Sequence, residues 1–328
     1  MDRPNGTSGG TISAPSPKSF KYPIVHKVFF NDVELRAGWR FLISVLLSSF
    51  FGLAILVARR LLHLPISPQS SELTAPRLIW SEASLFLGLL IAVAIMAALE
   101  NRRMECYGLA LHGAFRKYFW LGALWGFGAL TVLLTVLRAC HSFYFGKAAL
   151  HGWEIAHYAL LWGVAFLFVG LLEEYKYRGY AQFTLTTGIG FWPAALLLNS
   201  LFAFSHRGNE GENWIGLLDV AASGLFWAFT LRRTGTLWFA VGFHAAWDWA
   251  ESFFYGTPDS GYLARGHLLN SSVQGPSWLS GGSVGPEGSF LSILLLLVLA
   301  ILFHFCFRSE SKYPLAECAK PPGPPAEP

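Results

Sequence analysis

The sequence predicts an all-α, membrane-embedded protein: a polytopic bundle of about eight transmembrane helices with both termini in the cytoplasm. Three observations predict it. First, only 13% of the 328 residues are charged, while 53% are hydrophobic and 16% aromatic. Soluble domains carry about 25% charged residues, so this chain has too few to coat a water-facing surface. Second, apolar runs near the roughly 20 residues that a spanning helix needs recur along the chain. Third, Lys and Arg gather on alternate connections between those runs, as the positive-inside rule expects. The mean hydropathy of +0.43 agrees, and a disordered, collagen-like or ordinary soluble chain is excluded. The net charge is a modest +4, with no Lys/Arg run dense enough for nucleic acid. The expected surroundings are membrane lipid.

The elements follow in order. Residues 1–36 are polar, with Gly9-Gly10 and Pro15-Ser-Pro17 and no apolar core after a basic start, so they read as a cytoplasmic segment rather than a signal peptide. Gly38–Ala58 is the first span, and Glu82–Leu99 the second, ending just before Arg102 and Arg103. Tyr118–Leu137 follows Arg116 and Lys117, and Trp153–Leu172 stops at Glu173. Phe191–Ser205 is a short fifth span; Ile215–Leu231 and Thr236–Phe254 carry polar residues among apolar ones. Gly256–Ser289, rich in Gly, Ser and Pro, is expected to be irregular. Phe290–Phe307 is the eighth span, and 308–328 is a Pro-rich tail expected to be disordered. The chain thus divides into 1–36, a helical domain 37–307 and the tail. With the N-terminus in the cytoplasm, 16 Lys and Arg fall inside and 7 outside, and Arg40 lies within the first helix.

Ionisable groups at membrane depth are costly and mark a functional site by default. Three clusters qualify. In Glu173-Glu174-Tyr175-Lys176-Tyr177-Arg178, a continuing helix puts Glu174 and Arg178 four apart on one face, able to pair. Glu173, rotated about 100° away, is left as a free carboxylate suited to a general base. The plainer alternative is a helix ending in ordinary interfacial charges. His206, two turns from Asn199 on the same face, ends the run Phe202-Ala-Phe-Ser-His206; it is either catalytic or a capped interfacial residue. His244 and Asp248 are four apart inside an apolar stretch, so they either converge on one target or satisfy each other between helices. Together the clusters supply the inventory for activating water and stabilising an oxyanion. Glu154 and His157 lie at the far end of the fourth span from Glu173, roughly 24 Å away at 1.5 Å per residue. Asp219 and His304 read as locally satisfied, with Asp219 able to border the site. Walker, Gly-x-Gly-x-x-Gly, Gly-x-Ser-x-Gly and His-Glu-x-x-His patterns are missing, and the four cysteines form no Cys-x-x-Cys pair.

Glu173-Glu174-x-x-x-Arg178, Phe202-x-x-x-His206 and His244-x-x-x-Asp248, in that order on successive helices, resemble the CPBP family of intramembrane proteases, which includes the CAAX prenyl endopeptidases of the Ras-converting type and bacteriocin-processing and immunity relatives. The resemblance covers about 153–251. It implies an eight-helix fold whose cavity opens to the cytoplasm, and an endopeptidase acting on a membrane-associated or prenylated, CAAX-type protein. In that reading Glu173 and His206 activate the attacking water, and His244 and Asp248 bind the oxyanion. Glu174, Arg178 and Asn199 support them. In the older metalloprotease view Glu173, His206, His244 and Asp248 would hold a metal, with zinc the candidate cofactor. Asp248 replaces the Asn usual in the prenyl-protease branch, which points to a bacterial-type member in the cell membrane. The alternative is a non-catalytic membrane protein, a transporter or an immunity or scaffold protein, that uses the same polar site for binding.

Overall fold

The computed structural model describes residues 27–31, 34–62, 73–209, 211–308 and 312–313. Most of the N-terminal segment and most of the Pro-rich tail lie outside the described residues. Each of the eight apolar segments is helical. We number the helices α1 (Ala37–Leu61), α2 (Ala75–Leu99), α3 (Lys117–Ala139), α4 (Trp153–Arg178), α5 (Tyr180–Ile189), α6 (Phe191–His206), α7 (Trp214–Thr234), α8 (Trp238–Asp248) and α9 (Phe290–Cys306). Five stretches are long and apolar enough to cross a membrane: α1, α2, α3, the joined α4 and α5, and α7.

The outer face matches a lipid solvent. Leu46, Phe50 and Leu53 on α1, Trp120 and Leu124 on α3 and Leu297 on α9 are all exposed, where a water-soluble bundle would place charge. Inside, aromatic rings fill the space between α3, α7, α8 and α9. Phe239, Phe243 and Phe303 are fully buried, with Phe226 and Trp247 beside them.

The fourth span departs from expectation. It does not end at Leu172: α4 runs on through Glu173–Arg178, breaks at Gly179 and continues as α5 to Ile189. Glu174 and Arg178 do not stop the helix because they are buried in partnership, while Lys176 reaches the surface. Arg178, buried within the bundle, therefore drops out of the charge count, and the tally on the terminal side falls from 16 to 15 against 7.

α8 is packed against α3 through glycines. A methyl group on Gly126 would come within 2.2 Å of the Phe243 carbonyl oxygen, and one on Gly122 within 2.1 Å of that of Phe239. Across the seam, one on Gly242 would meet the Phe119 carbonyl oxygen at 2.1 Å. Close backbone approach of this kind is how helices gain packing energy in lipid. Gly126→Ala is expected to destabilise the bundle by about 1–3 kcal/mol, read as a lowered unfolding temperature in detergent. Gly128→Ala, with nothing within 4 Å, is the control that should leave it unchanged.

After Asp248 the helix widens into a π-helical stretch, Trp249–Tyr255, that ends at Gly256 with φ +64°. The connection to α9 is more ordered than its composition suggests. Ser272–Val273 (β2) pairs antiparallel with Phe143–Tyr144 (β1), in register Phe143↔Val273 and Tyr144↔Ser272. A bridge joins Leu73 to Ala264, and a short helix spans Ser277–Ser280. The connections α1–α2, α3–α4, α6–α7 and α8–α9 thus share one end of the bundle, hereafter the loop end. The start of α1 and the end of α9 lie at the other, the terminal end.

Candidate active site

The centre of the site is an ion pair buried in the bundle. Glu174 and Arg178 are both fully buried, and Arg178 Nη1 donates to Glu174 Oε1 at 3.3 Å. Arg178 Nη2 donates to Asn199 Oδ1 at 2.6 Å, and Asn199 Nδ2 donates back to the Ala195 carbonyl. The guanidinium lies over the rings of Phe202, at 4.5 Å, and Trp227, at 5.2 Å. Gly224 makes room for it, since a methyl group there would lie 2.1 Å from both Arg178 Nη2 and Asn199 Oδ1. The i,i+4 pairing read from the sequence is present. Asn199, expected as a supporting residue, completes the arginine's hydrogen bonding and does not line the cavity itself.

Glu174 has a second partner that spacing could not reveal. His244 Nδ1 lies 3.0 Å from Glu174 Oε1. A carboxylate only accepts, so Nδ1 carries the proton. The imidazole is stacked on Trp227, with ring centres 4.3 Å apart and planes 17° from parallel. Held on two sides, His244 presents Nε2 to the cavity, 3.7 Å from Glu173 Oε2 and 3.5 Å from Asp248 Oδ2.

The cavity has a volume of about 340 Å³. Its wall includes Glu173, His206, His244 and Asp248, bringing together all four residues read from the sequence as catalytic. His206 is half-buried; its Nδ1 bonds with the Phe202 carbonyl oxygen at 2.9 Å, leaving Nε2 free of that bond. Glu173 and His206 share the wall without a direct hydrogen bond among the described residues, so a molecule must sit between them if they act together. Glu154 and His157, as expected, lie away from it.

Sequence reasoning missed Glu82, Asp259 and Glu287, which also line the cavity, and only allowed that Asp219 might border it, as it does. Glu82 stands on α2, and Asp259 and Glu287 come from opposite ends of the α8–α9 connection. No local motif links them. The available signal was compositional: that connection carries Asp259 and Glu287 but only one Lys or Arg, Arg265. Burial, with Glu173 adding its charge, pushes the Asp259 carboxyl up to about 7. Burial, then the charge of Asp259, pushes Glu287 up to about 8.

The position of the cavity bears on two expectations, cytoplasmic termini and a cytoplasmic opening. The non-helical residues in the wall, Leu73, Asn209, Asp259, Ser260, Tyr262 and Glu287, all belong to the loop end. The cavity therefore lies toward the loop end of the bundle, away from the terminal end.

The four residues considered for zinc do not converge as a metal centre. Among the described residues, the group of three His, Cys, Asp or Glu ligands with atoms within 4.8 Å of one another is Asp248, Asp259 and Glu287. It shares only Asp248 with the zinc set.

Long apolar helices enclosing a carboxylate–imidazole cavity define an integral membrane protein with a buried polar site. Residues 155–250 match the family model for type II CAAX prenyl endopeptidase Rce1-like proteins, within the CPBP family. That segment, just under a third of the chain, contains all three motifs. No protein of curated function matches the chain.

Proposed function

We propose that this protein is an intramembrane endopeptidase that hydrolyses a peptide bond in a membrane-associated protein by carboxylate-activated water. The observation that carries the reading is the placement of His244 Nε2 between Glu173 and Asp248, fixed from behind by a buried Glu174–Arg178 pair. Preorganisation of this kind is what hydrolysis needs and what passive binding does not.

In the proposed reaction a water between Glu173 and His206 gives its proton to the Glu173 carboxylate as its oxygen attacks the scissile carbonyl carbon. The carbonyl oxygen takes up the negative charge. When protonated, His244 Nε2–H donates to that oxyanion, with Glu174 stabilising the imidazolium through Nδ1. Asp248 assists as a donor only when it carries a proton; ionised, it holds the imidazole instead. Collapse breaks the C–N bond, and Glu173 returns its proton to the leaving amine.

His206→Ala tests this reading. Purified protein in nanodiscs is expected to cleave a membrane-anchored peptide substrate, and the variant to lose about 10²-fold or more in kcat at an unchanged unfolding temperature. Full activity in the variant would remove His206 from the mechanism, and no cleavage by the wild-type protein would favour the binding alternative.

The Lys/Arg asymmetry supports cytoplasmic termini, so the cavity would face away from the cytoplasm and take substrate from that side. A prenylated CAAX-type substrate, modified in the cytoplasm, needs the reverse orientation. Cys140 at the loop end and Cys306 at the terminal end are both free and exposed. In single-cysteine variants in intact cells, an impermeant maleimide is expected to label Cys140 and spare Cys306. The opposite pattern would reverse the orientation and restore the CAAX-type substrate.

A further inference from the structure

Six carboxylates, Glu82, Glu173, Asp219, Asp248, Asp259 and Glu287, line one cavity, and among the described residues no Lys or Arg faces it. Gathering carboxylates in a water-poor space is unfavourable unless they are protonated or a cation binds them. Three of these groups are also close together, with one oxygen from each of Asp248, Asp259 and Glu287 within 4.8 Å of the others. Oxygens around a single calcium ion, each at 2.3–2.6 Å, stand up to about 5 Å apart, so the three already have the spacing of a ligand shell.

The two loop carboxylates are held in place for this. Ser252 Oγ donates to Asp259 Oδ2 at 2.9 Å, and Ser260 Oγ donates to Glu287 Oε2 at 3.2 Å. Each serine occupies one oxygen and leaves the other open.

A separate observation points to a missing cation. Asp219, from α7, is only 2% exposed and lines the same cavity, yet its Oδ1 has no hydrogen-bond partner. Behind the cluster, Glu251 on the π-helical stretch is fully buried with both carboxylate oxygens unpartnered. Orphaned buried acceptors are expensive, and a cation in the cluster is the neutralising group the wall does not supply.

From these placements we infer that Asp248, Asp259 and Glu287, with Asp219 beside them, form a binding site for one hard divalent cation, calcium or manganese in class, at the loop end of the cavity. All-oxygen donor sets select such ions over zinc, which favours nitrogen and sulfur. A lysine ammonium of a substrate could also sit among carboxylates, but a single positive charge would leave three or four carboxylates largely uncompensated. The ligands come from α8 and both ends of the α8–α9 connection, so the ion ties that connection over the cavity. The site stands on these residues alone and does not depend on the hydrolytic reading.

The test uses the full chain in nanodiscs, stripped with EDTA and titrated separately with Mn²⁺, Ca²⁺ and Zn²⁺. Mn²⁺ binding is followed by loss of the free-ion EPR signal, and all three by calorimetry and unfolding temperature. One Mn²⁺ or Ca²⁺ per chain and a raised unfolding temperature are expected. Asp259→Asn and Glu287→Gln, close in shape to the residues they replace, should each weaken binding about tenfold or more and remove the temperature shift. If the stripped wild-type protein is monodisperse and binds neither Mn²⁺ nor Ca²⁺, the site does not exist. Binding that survives both substitutions but is lost in His244→Ala would move the metal to the imidazoles and overturn the assignment. Capture of a lysine-bearing peptide without any metal binding would overturn it equally.

Discussion

Glu173→Gln is expected to lower kcat for peptide-bond hydrolysis by about 10²–10⁴-fold, the range for loss of a general base, while leaving the fold intact. Both halves follow from the position of this side chain. Gln keeps the size and hydrogen-bonding reach of Glu but cannot take a proton from water at neutral pH. Glu173 is also not what holds the bundle together. Its side chain is 25% exposed to the cavity, and its contact with His244 Nε2 is long, at 3.7 Å. The neighbouring Glu174, fully buried between Arg178 and His244, is the structural carboxylate. Steady-state cleavage of a membrane-anchored peptide, paired with thermal unfolding of the same preparation, checks both statements. A variant that turns over at the wild-type rate would remove Glu173 as the base. A variant that unfolds would show that the division of labour between the two glutamates is drawn wrongly.

The division itself was readable from the sequence because helical periodicity is rigid. Residues four apart meet and residues one apart diverge, so Glu174 had to point towards Arg178 and Glu173 elsewhere, provided the helix continued. Whether it continued was not readable. A run of four ionisable residues after thirteen apolar ones has the form of an interfacial end, and only burial of the pair beside Asn199, Phe202 and Trp227 shows otherwise. The same limit hid the second bond of Glu174 to His244, seventy positions away. It also hid Asp259 and Glu287, which reach the cavity through the folding of a long connection with no periodicity to constrain it. Helices and their faces follow from local sequence; convergence of loop carboxylates depends on how the helix ends are arranged. Orientation lies between the two. Charge asymmetry gives a direction for the termini, but the end of the bundle at which the cavity lies emerges only from packing.

Arg178→Met should be among the most damaging single substitutions in the chain, costing about 3–5 kcal/mol, because it strands a fully buried carboxylate without its partner. The loss reaches further than the pair. Arg178 also donates to Asn199 and packs over two aromatic rings, and its partner Glu174 is what fixes the proton on His244 Nδ1. Stability and activity should therefore fall together in the single variant, and that result alone would not separate a structural role from a positioning one. The double variant Glu174→Gln/Arg178→Met does. With both charges removed, no uncompensated ion remains, and neutral side chains of similar length can fill the space. Removing a buried pair together is commonly far less harmful than breaking it. Most of the lost stability should return, measured as a strong positive coupling in a double-mutant cycle of unfolding free energies. Activity should not return, because a neutral amide at position 174 no longer stabilises a protonated His244. If the double variant regained hydrolysis along with stability, the pair would serve only to hold α4 against α6 and α7, and His244 would need another source of orientation.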